Sequence, residues 1–192
     1  MYQTLFHRHI RSLPSLVEDL TGEIDKECHQ LFSPSYSRRI GQVFITGCGD
    51  SYHAALSVRL GFMIWTGLNC QVLPAMEFAR YQAAYLSAHG SLANLVIGVS
   101  ASGRVSRTIE ALELAKQAHA TTIAVTGDTS SPLAQVADYI LPVSIPTLSE
   151  DDQLTVVPGA RSFVASLLAL YLAAIAIGSA NDRLSFTEGD AF

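Results

Sequence analysis

Between residues 42 and 143, short apolar runs alternate with longer stretches whose apolar residues recur every three or four positions. The runs are VFIT at 43–46, QVL at 71–73, LVIGV at 95–99, TIAVT at 122–126 and YILPV at 139–143. Most are apolar at successive positions rather than at alternate ones, which predicts strands buried on both faces. The segments 52–66, 75–84, 106–118 and 160–180 carry the helical period, and 132–136 reads as a short helical turn. Strands separated by helices predict an α/β fold with a parallel sheet covered on both sides. The expectation is therefore a doubly wound, three-layer αβα sandwich of about five parallel strands, taken in the common flavodoxin-like order 2-1-3-4-5. Ahead of it, residues 1–40 read as a helical lead-in in which Pro14 opens a second helix at its first turn, where a missing N–H costs little. Asp19, Glu23 and Lys26 mark its solvated face. No repeat, low-complexity tract or linker composition interrupts the pattern, so 1–192 reads as one domain: lead-in 1–40, core 41–180 and tail 181–192.

Composition narrows the classes of function. A chain of 192 residues that is 49% hydrophobic can bury one full core. Its net charge of −5 and scattered Lys and Arg argue against a nucleic-acid footprint. Cys28, Cys48 and Cys70 are odd in number and lack CxxC spacing, which fits a reducing compartment rather than a disulfide or zinc framework. The expected location is the cytoplasm, since residues 1–15 lack the apolar run of a secretion signal. One stretch, FVASLLALYLAAIAIG at 163–178, is apolar throughout but short of the roughly 20 residues of a membrane span. It reads as a helix buried against the sheet or a subunit partner, and no membrane association is expected.

In open parallel sheets, ligands bind beyond the carboxyl ends of the strands, where the strand order reverses. In the order 2-1-3-4-5 that crevice lies between the loops after the first and third strands. Here those loops are Gly47-Cys48-Gly49-Asp50-Ser51 and SASGRVSRT at 100–108, and both lead directly into helices. Two helix N-termini with free N–H groups would converge on one anion site. The dinucleotide fingerprint is incomplete, because Tyr52 stands where its third glycine would be, and no Walker lysine is present. No cofactor and no metal are expected. Ser100, Ser102 and Ser106 suit a compact phosphate, and Arg104 and Arg107 would add charge if turned inward. A third polar loop, TGDTSSPL at 126–133, would rim the same crevice. Plainer roles compete: Ser51, Ser106 or Asp50 as helix caps, His53 as a packed or hydrogen-bonded side chain, Cys48 as a small buried hydrophobe.

At these residues the chain resembles the sugar isomerase (SIS) domain family of phosphosugar-binding domains. It is most similar to the first such domain in the isomerase half of glucosamine-6-phosphate synthase and in related two-domain isomerases and deaminases. HIRSLPSLVEDLTGEI at 9–24 resembles the helical lead-in, and GCGDSY at 47–52 the CGTSY loop. MEFARY at 76–81 resembles the SEFRY segment, SASGR at 100–104 takes the place of SQSGE, and VPGARSF at 157–163 that of VASTKAF. The resemblance implies a sugar-phosphate ligand contacted by Gly49, Asp50, Ser51, Ser100, Ala101, Ser102, Gly103 and Arg104, with Val157 and Arg161 toward the sugar. Ala101, Arg104 and Val105 depart from the family's glutamine, glutamate and threonine, so the identity of the ligand stays open.

Aldose–ketose isomerisation needs a base that moves a proton between adjacent carbons. In the two-domain relatives such groups come mainly from the second domain. The candidates here are Glu77, His53 and the acidic run Glu150-Asp151-Asp152. Glu77 is equally readable as the partner of Arg80, and the acidic run as a solvated loop. Two readings stand: a phosphosugar isomerase working as a homodimer or larger homo-oligomer, or a non-catalytic sugar-phosphate module or half-site that needs a partner chain.

Overall fold

A computed structural model describes residues 4–86, 92–148 and 159–184. The lead-in is helical, as the sequence predicts: α1 (Leu5–Arg11), α2 (Leu13–Leu31) and the single turn α3 (Pro34–Ser37). Pro14 lies in the first turn of α2. Five strands follow, β1 (Ile40–Gly47), β2 (Asn69–Pro74), β3 (Ala93–Val99), β4 (Thr121–Thr126) and β5 (Tyr139–Pro142). All pair in parallel in the order β2-β1-β3-β4-β5.

The connecting helices are α4 (Asp50–Thr66), the single turn α5 (Ala75–Glu77), α6 (Ser106–Gln117) and α7 (Pro132–Val136). A final helix α8 (Ala160–Ala180) ends the described fold. The pleat splits each strand between two cores. Val43 and Ile45 of β1 face the layer of α2, α4 and α8, with Phe62, Leu170 and Ile177. Phe44 faces the other layer, with Phe78, Leu112 and Leu133. Its ring meets that of Phe78 at 5.7 Å between centroids.

One element differs from its expectation. The single helix expected over 75–84 begins as α5, widens into a π turn over Phe78–Gln82 and tightens into a 3-10 turn over Ala83–Tyr85. The N–H of Ala83 bonds to the carbonyl of Phe78, five residues back. The change of pitch lets Phe78, Ala79 and Ala83 all bury in the second core, a fit that a three-to-four residue period does not encode.

Over an apolar stretch of 18 residues the helix α8 has a mean hydropathy of 2.2, and 56% of that stretch is buried. By length and composition it is the one helix among the described residues that matches a membrane span, yet one side of it packs against α2, α4 and the sheet. The sheet register brings the strand ends to one level: Gly47 of β1 lies opposite Pro74 of β2 and Val99 of β3. That level is the floor of the crevice.

Candidate functional site

Gly47 joins the first loop to the third strand at close range. A Cβ there would approach the Val99 carbonyl to 2.9 Å and the Ser51 Cβ to 3.2 Å, so only glycine lets the two loops meet. The chain then turns through Gly49, whose φ of 54° is a left-handed value that glycine takes without strain, and enters α4 at Asp50. Gly49 itself is the N-cap. Neither Ser51 nor Asp50 caps the helix, so the plainer reading of those two side chains does not hold. The Oδ2 of Asp50 instead lies 3.2 Å from where a Cβ on Gly159 would sit, at the start of α8.

The second loop is more tightly built. Ser100 donates its N–H to the Val125 carbonyl and accepts from the Gly103 N–H at 2.9 Å, closing a turn over 100–103. The N–H of Gly127 donates to the Ala101 carbonyl and the N–H of Leu133 to the Gly103 carbonyl, each at 3.0 Å. Gly103 has a φ of 63°, and a Cβ on it would overlap the buried Ser131 side chain. The loop at 126–133 is thus the frame that holds 100–104 in shape. Its residues Thr126, Asp128 and Ser131 are functional in that sense, and the sequence reading gave them only a place on the rim.

Inside this frame the hydroxyl of Ser100 is 3% exposed as a residue and its Oγ has no hydrogen-bond partner. A buried hydroxyl left unmatched costs about 1–3 kcal/mol, so such a group points to a ligand that the fold accommodates. Around it the three long helices that rise from this edge, α4, α6 and α8, all lack a side-chain cap at their N-termini. Uncapped starts are not confined to this edge, since α2, α3 and α5 also lack a side-chain cap, while Thr4 caps α1 and Ser131, beside the crevice, caps α7. Ser106 is the first residue of α6, whose N-cap is Val105, so it too fails to cap. Uncapped N-termini leave N–H donors and the positive ends of helix dipoles for an anion. The side chain of Ser102 is exposed and accepts from the Arg104 N–H at 3.3 Å.

The arginines do not turn inward. Arg104 Nη2 pairs with Asp128 Oδ2 at 2.8 Å, and Arg107 Nη1 with Glu110 Oε2 at 2.8 Å. Asp128 is held below the usual carboxylate range first by the Ser130 hydroxyl and N–H, then by Arg104. Glu110 is lowered by Arg107 and Arg80. Arg80 therefore takes Glu110, at 2.8 Å, as its partner, where the sequence reading had offered Glu77. Arg161 is buried in the first turn of α8 and its Nη1 donates to the Pro146 carbonyl at 2.6 Å, tying α8 to the segment after β5.

Of the acid–base candidates, Glu77 is exposed at the carboxyl end of β2. His53 is exposed on α4, with Nδ1 2.9 Å from the Gly49 carbonyl. Glu150, Asp151, Asp152 and Val157 lie outside the described residues. Cys48 is only partly buried, and the Thr108 hydroxyl approaches its sulfur to 3.9 Å. Thr108 was not singled out from the sequence. Its signal was a polar residue on the helix face that also carries Ala111, Leu112 and Ala115.

Comparison with known proteins decides the family. The SIS domain model matches residues 38–176, from the start of the sheet into α8. The chain belongs to the SIS domain family. Similar curated relatives include the glutamine–fructose-6-phosphate aminotransferase (isomerizing) of Mycolicibacterium smegmatis, 31% identical over 185 residues, which are 93% of this chain and 28% of the relative. The enzyme of that name from Treponema pallidum is 34% identical over 173 residues, 90% of this chain and 25% of the relative. This SIS domain thus spans about a quarter of the length of the curated relatives it matches.

Solved structures share the fold at lower identity. The C-terminal domain of glucosamine-fructose-6-phosphate aminotransferase from Francisella tularensis superposes with a TM-score of 0.77 at 18% identity, covering 99% of this chain and 51% of that one. The Vibrio vulnificus NanR protein complexed with ManNAc-6P gives 0.66 at 19%, covering 95% and 64%. The crystal structure of a "putative sugar-phosphate isomerase" from Listeria monocytogenes gives 0.69 at 17%, covering 100% and 97%. The five-stranded order and the layering of helices are those of the SIS fold.

Proposed function

We propose that this SIS domain binds a phosphorylated sugar, with the phosphate between the 47–51 and 100–104 loops, and that it acts in the cytoplasm as part of an oligomeric sugar-phosphate isomerase. The observation that carries the reading is the buried, unpartnered Ser100 hydroxyl beside the uncapped N-termini of α4 and α6. A phosphate group supplies several acceptor oxygens to such donors at once, and its charge favours both helix dipoles. Ser51 and Ser102 complete the cradle, and Arg104 serves it indirectly by bracing the loop to Asp128. The family to which the chain belongs supports a sugar as the rest of the ligand. Val157 and Arg161 are carried as residues of the sugar side by resemblance alone.

Isomerisation requires an acid and a base within reach of the sugar. Glu77 and His53 are the described candidates, and both are exposed on this chain taken alone. That exposure favours a second reading, in which the chain binds without turnover, as a module or half-site.

Thermal-shift titration against hexose, hexosamine and pentose phosphates, with inorganic phosphate as control, tests the binding. A ligand selective for the folded state raises the melting temperature as its concentration rises. A shift from one sugar phosphate that exceeds the phosphate control is expected; none from any would sink the proposal. Mixing the selected ligand with the pure protein and following its carbons by NMR separates the two readings, since interconversion marks the isomerase and binding without change marks the module.

A further inference from the structure

The chain enters β5 at Tyr139, which lies opposite Ile123 of β4. This is the amino end of a parallel strand, and the crevice lies beyond the other end. Among the described residues β5 is also an edge strand of the sheet. Between its start, the last turns of α2 and the turn α3 lies a cavity of about 400 Å³, a size at which small-molecule groups are held.

Two tyrosines form one wall of it. Tyr36 is backed by Phe32, with ring centroids 6.3 Å apart, and meets Tyr139 at 6.2 Å with the ring planes tilted by 50°. Tyr139 is 47% exposed, so aromatic surface stays open to a ligand. The other wall is polar. Glu27 and Gln30 stand three residues apart on α2, a spacing that sets them on one side of the helix, and Ser33 follows at the turn into α3.

Glu27 is the unusual group. Four carboxylates are half-buried among the described residues: Asp25, Glu27, Glu110 and Asp128. Three of them have a basic partner. Asp25 lies 3.5 Å from His29, Glu110 lies 2.8 Å from both Arg80 and Arg107, and Asp128 lies 2.8 Å from Arg104. Glu27 has neither an ion pair nor a side-chain hydrogen bond among the described residues. No Lys or Arg lines its cavity, and Lys26 instead lines a neighbouring one of about 310 Å³ toward Pro142. A carboxylate partly withdrawn from water without a counter-charge is costly, and a bound cation offsets that cost.

We propose that this cavity recognises a guanidinium group, paired with Glu27 and laid against Tyr139. A guanidinium is flat and weakly hydrated, bonds a carboxylate through two parallel N–H groups and stacks on aromatic faces. The side-chain oxygens of Gln30 and Ser33 offer acceptors for its remaining N–H groups. An anion would be repelled by Glu27, and a neutral ligand would leave that charge unmatched. A small guanidino compound and an arginine side chain of a partner protein carry the same chemistry. The inference goes beyond the sugar-phosphate reading, and the cavity shares no residue with the crevice.

The test is a titration of the full chain followed by NMR of its tyrosine rings. Methylguanidine serves as the free group, and the peptide acetyl-Gly-Arg-Gly-amide as the group on a chain. The Tyr36 and Tyr139 signals, assigned with Tyr36→Phe and Tyr139→Phe, are expected to shift saturably with a dissociation constant on the order of 1 mM, the strength of one charged pair and one ring contact. A peptide that binds more tightly than methylguanidine supports the site with a protein partner as the source, and equal binding supports it with a small molecule. The same peptide with citrulline in place of arginine, uncharged but alike in shape, is expected to cause no saturable shift. Glu27→Gln is expected to weaken binding about tenfold or more, the scale of a hydrogen bond to a charged group. Glu18→Gln, an equal loss of charge at an exposed position of α2, is expected to leave binding unchanged. Circular dichroism checks the fold, and Tyr139→Ala, expected to weaken binding about threefold, carries the test if Glu27→Gln perturbs the helix. No saturable shift up to ~20 mM, equal binding of the citrulline peptide, or equal weakening in Glu18→Gln would overturn the proposal. Binding here by a chain that responds to no sugar phosphate would fail the reading of the crevice and leave this site standing.

Discussion

Gly103 is the position where the geometry of the candidate site predicts a stability change most directly. Replacing it with alanine places a Cβ on a residue with φ of 63°, which costs about 1–2 kcal/mol for an L side chain in the left-handed region. The new Cβ would also overlap Ser131 and come within 2.8 Å of Thr126 Oγ1. Ser131 is fully buried and its hydroxyl accepts from the Ala134 N–H to cap α7. Displacing it adds about 1–3 kcal/mol of overpacking. The sum is about 3 kcal/mol, and at roughly 2–4 °C per kcal/mol for a domain of this size the melting temperature falls by roughly 6–12 °C. Thermal or urea unfolding of Gly103→Ala reads that loss. A double-mutant cycle with Ser131→Gly isolates the largest part of its cause, because removing the Ser131 side chain relieves the overlap with it and leaves the backbone strain and the Thr126 contact, whose hydroxyl can then turn toward the vacated space. The cost of Gly103→Ala is expected to drop to about 1–2 kcal/mol in that background. An equal cost in both backgrounds would refute the packing of the 100–104 loop against 126–133.

Three other outcomes follow from the same geometry. Ser100→Ala removes a hydroxyl that makes no hydrogen bond in the fold, so unfolding stability is expected to hold or rise while affinity for the sugar phosphate falls about tenfold or more, the scale of one hydrogen bond to a charged group; thermal shift with and without ligand reads both. Asp128 and Glu110 sit below their ordinary values through hydrogen bonds from Ser130 and Arg107, and Asp138, which burial alone would raise, is lowered by Lys116 and Thr122. A depressed carboxyl stabilises the fold above its unfolded value and loses that contribution as pH falls. Melting temperature is therefore expected to decline once pH drops toward the ordinary 3.8 and 4.5 of these groups, and to decline less in Asp138→Asn; a fall of the same size in that variant would remove Asp138 from the account. Burial pushes the Cys70 thiol up to about 12 and the Cys28 thiol higher still, whereas Cys48 is partly exposed in the loop after β1. Alkylation at pH 8 followed by peptide mass mapping is expected to label Cys48 first, and more slowly with ligand bound; equal labelling of Cys28 would contradict the burial.

The alternation of apolar runs and helical segments determined the five strands and their parallel pairing, because strands buried on both faces and separated by helices leave few other arrangements, and the order 2-1-3-4-5, expected as the common one for five such strands, is the order found. It also located both loops of the crevice, since a glycine-rich break between a strand and a helix is local in sequence. The parting of roles within those loops was not local. Whether Ser51, Asp50 or Ser106 caps its helix depends on how each loop is held against its neighbours, Gly47 against Val99 and Gly103 against Ser131, and the chain took Gly49 and Val105 as caps instead. The π turn after α5 follows from the fit of Phe78 and Ala83 to a core built by β1 and α6, distant in sequence. Arg104 and Arg80 carried charge that suited several partners, and only the placement of Asp128 from the β4–α7 loop and Glu110 from α6 chose among them. The sequence by itself thus determined the framework and the place of the two loops that meet at the strand ends, because period and glycine placement act over a few residues. The tertiary structure alone decided which hydroxyl is left buried without a partner and which loop braces the crevice, because each is a relation between segments far apart along the chain.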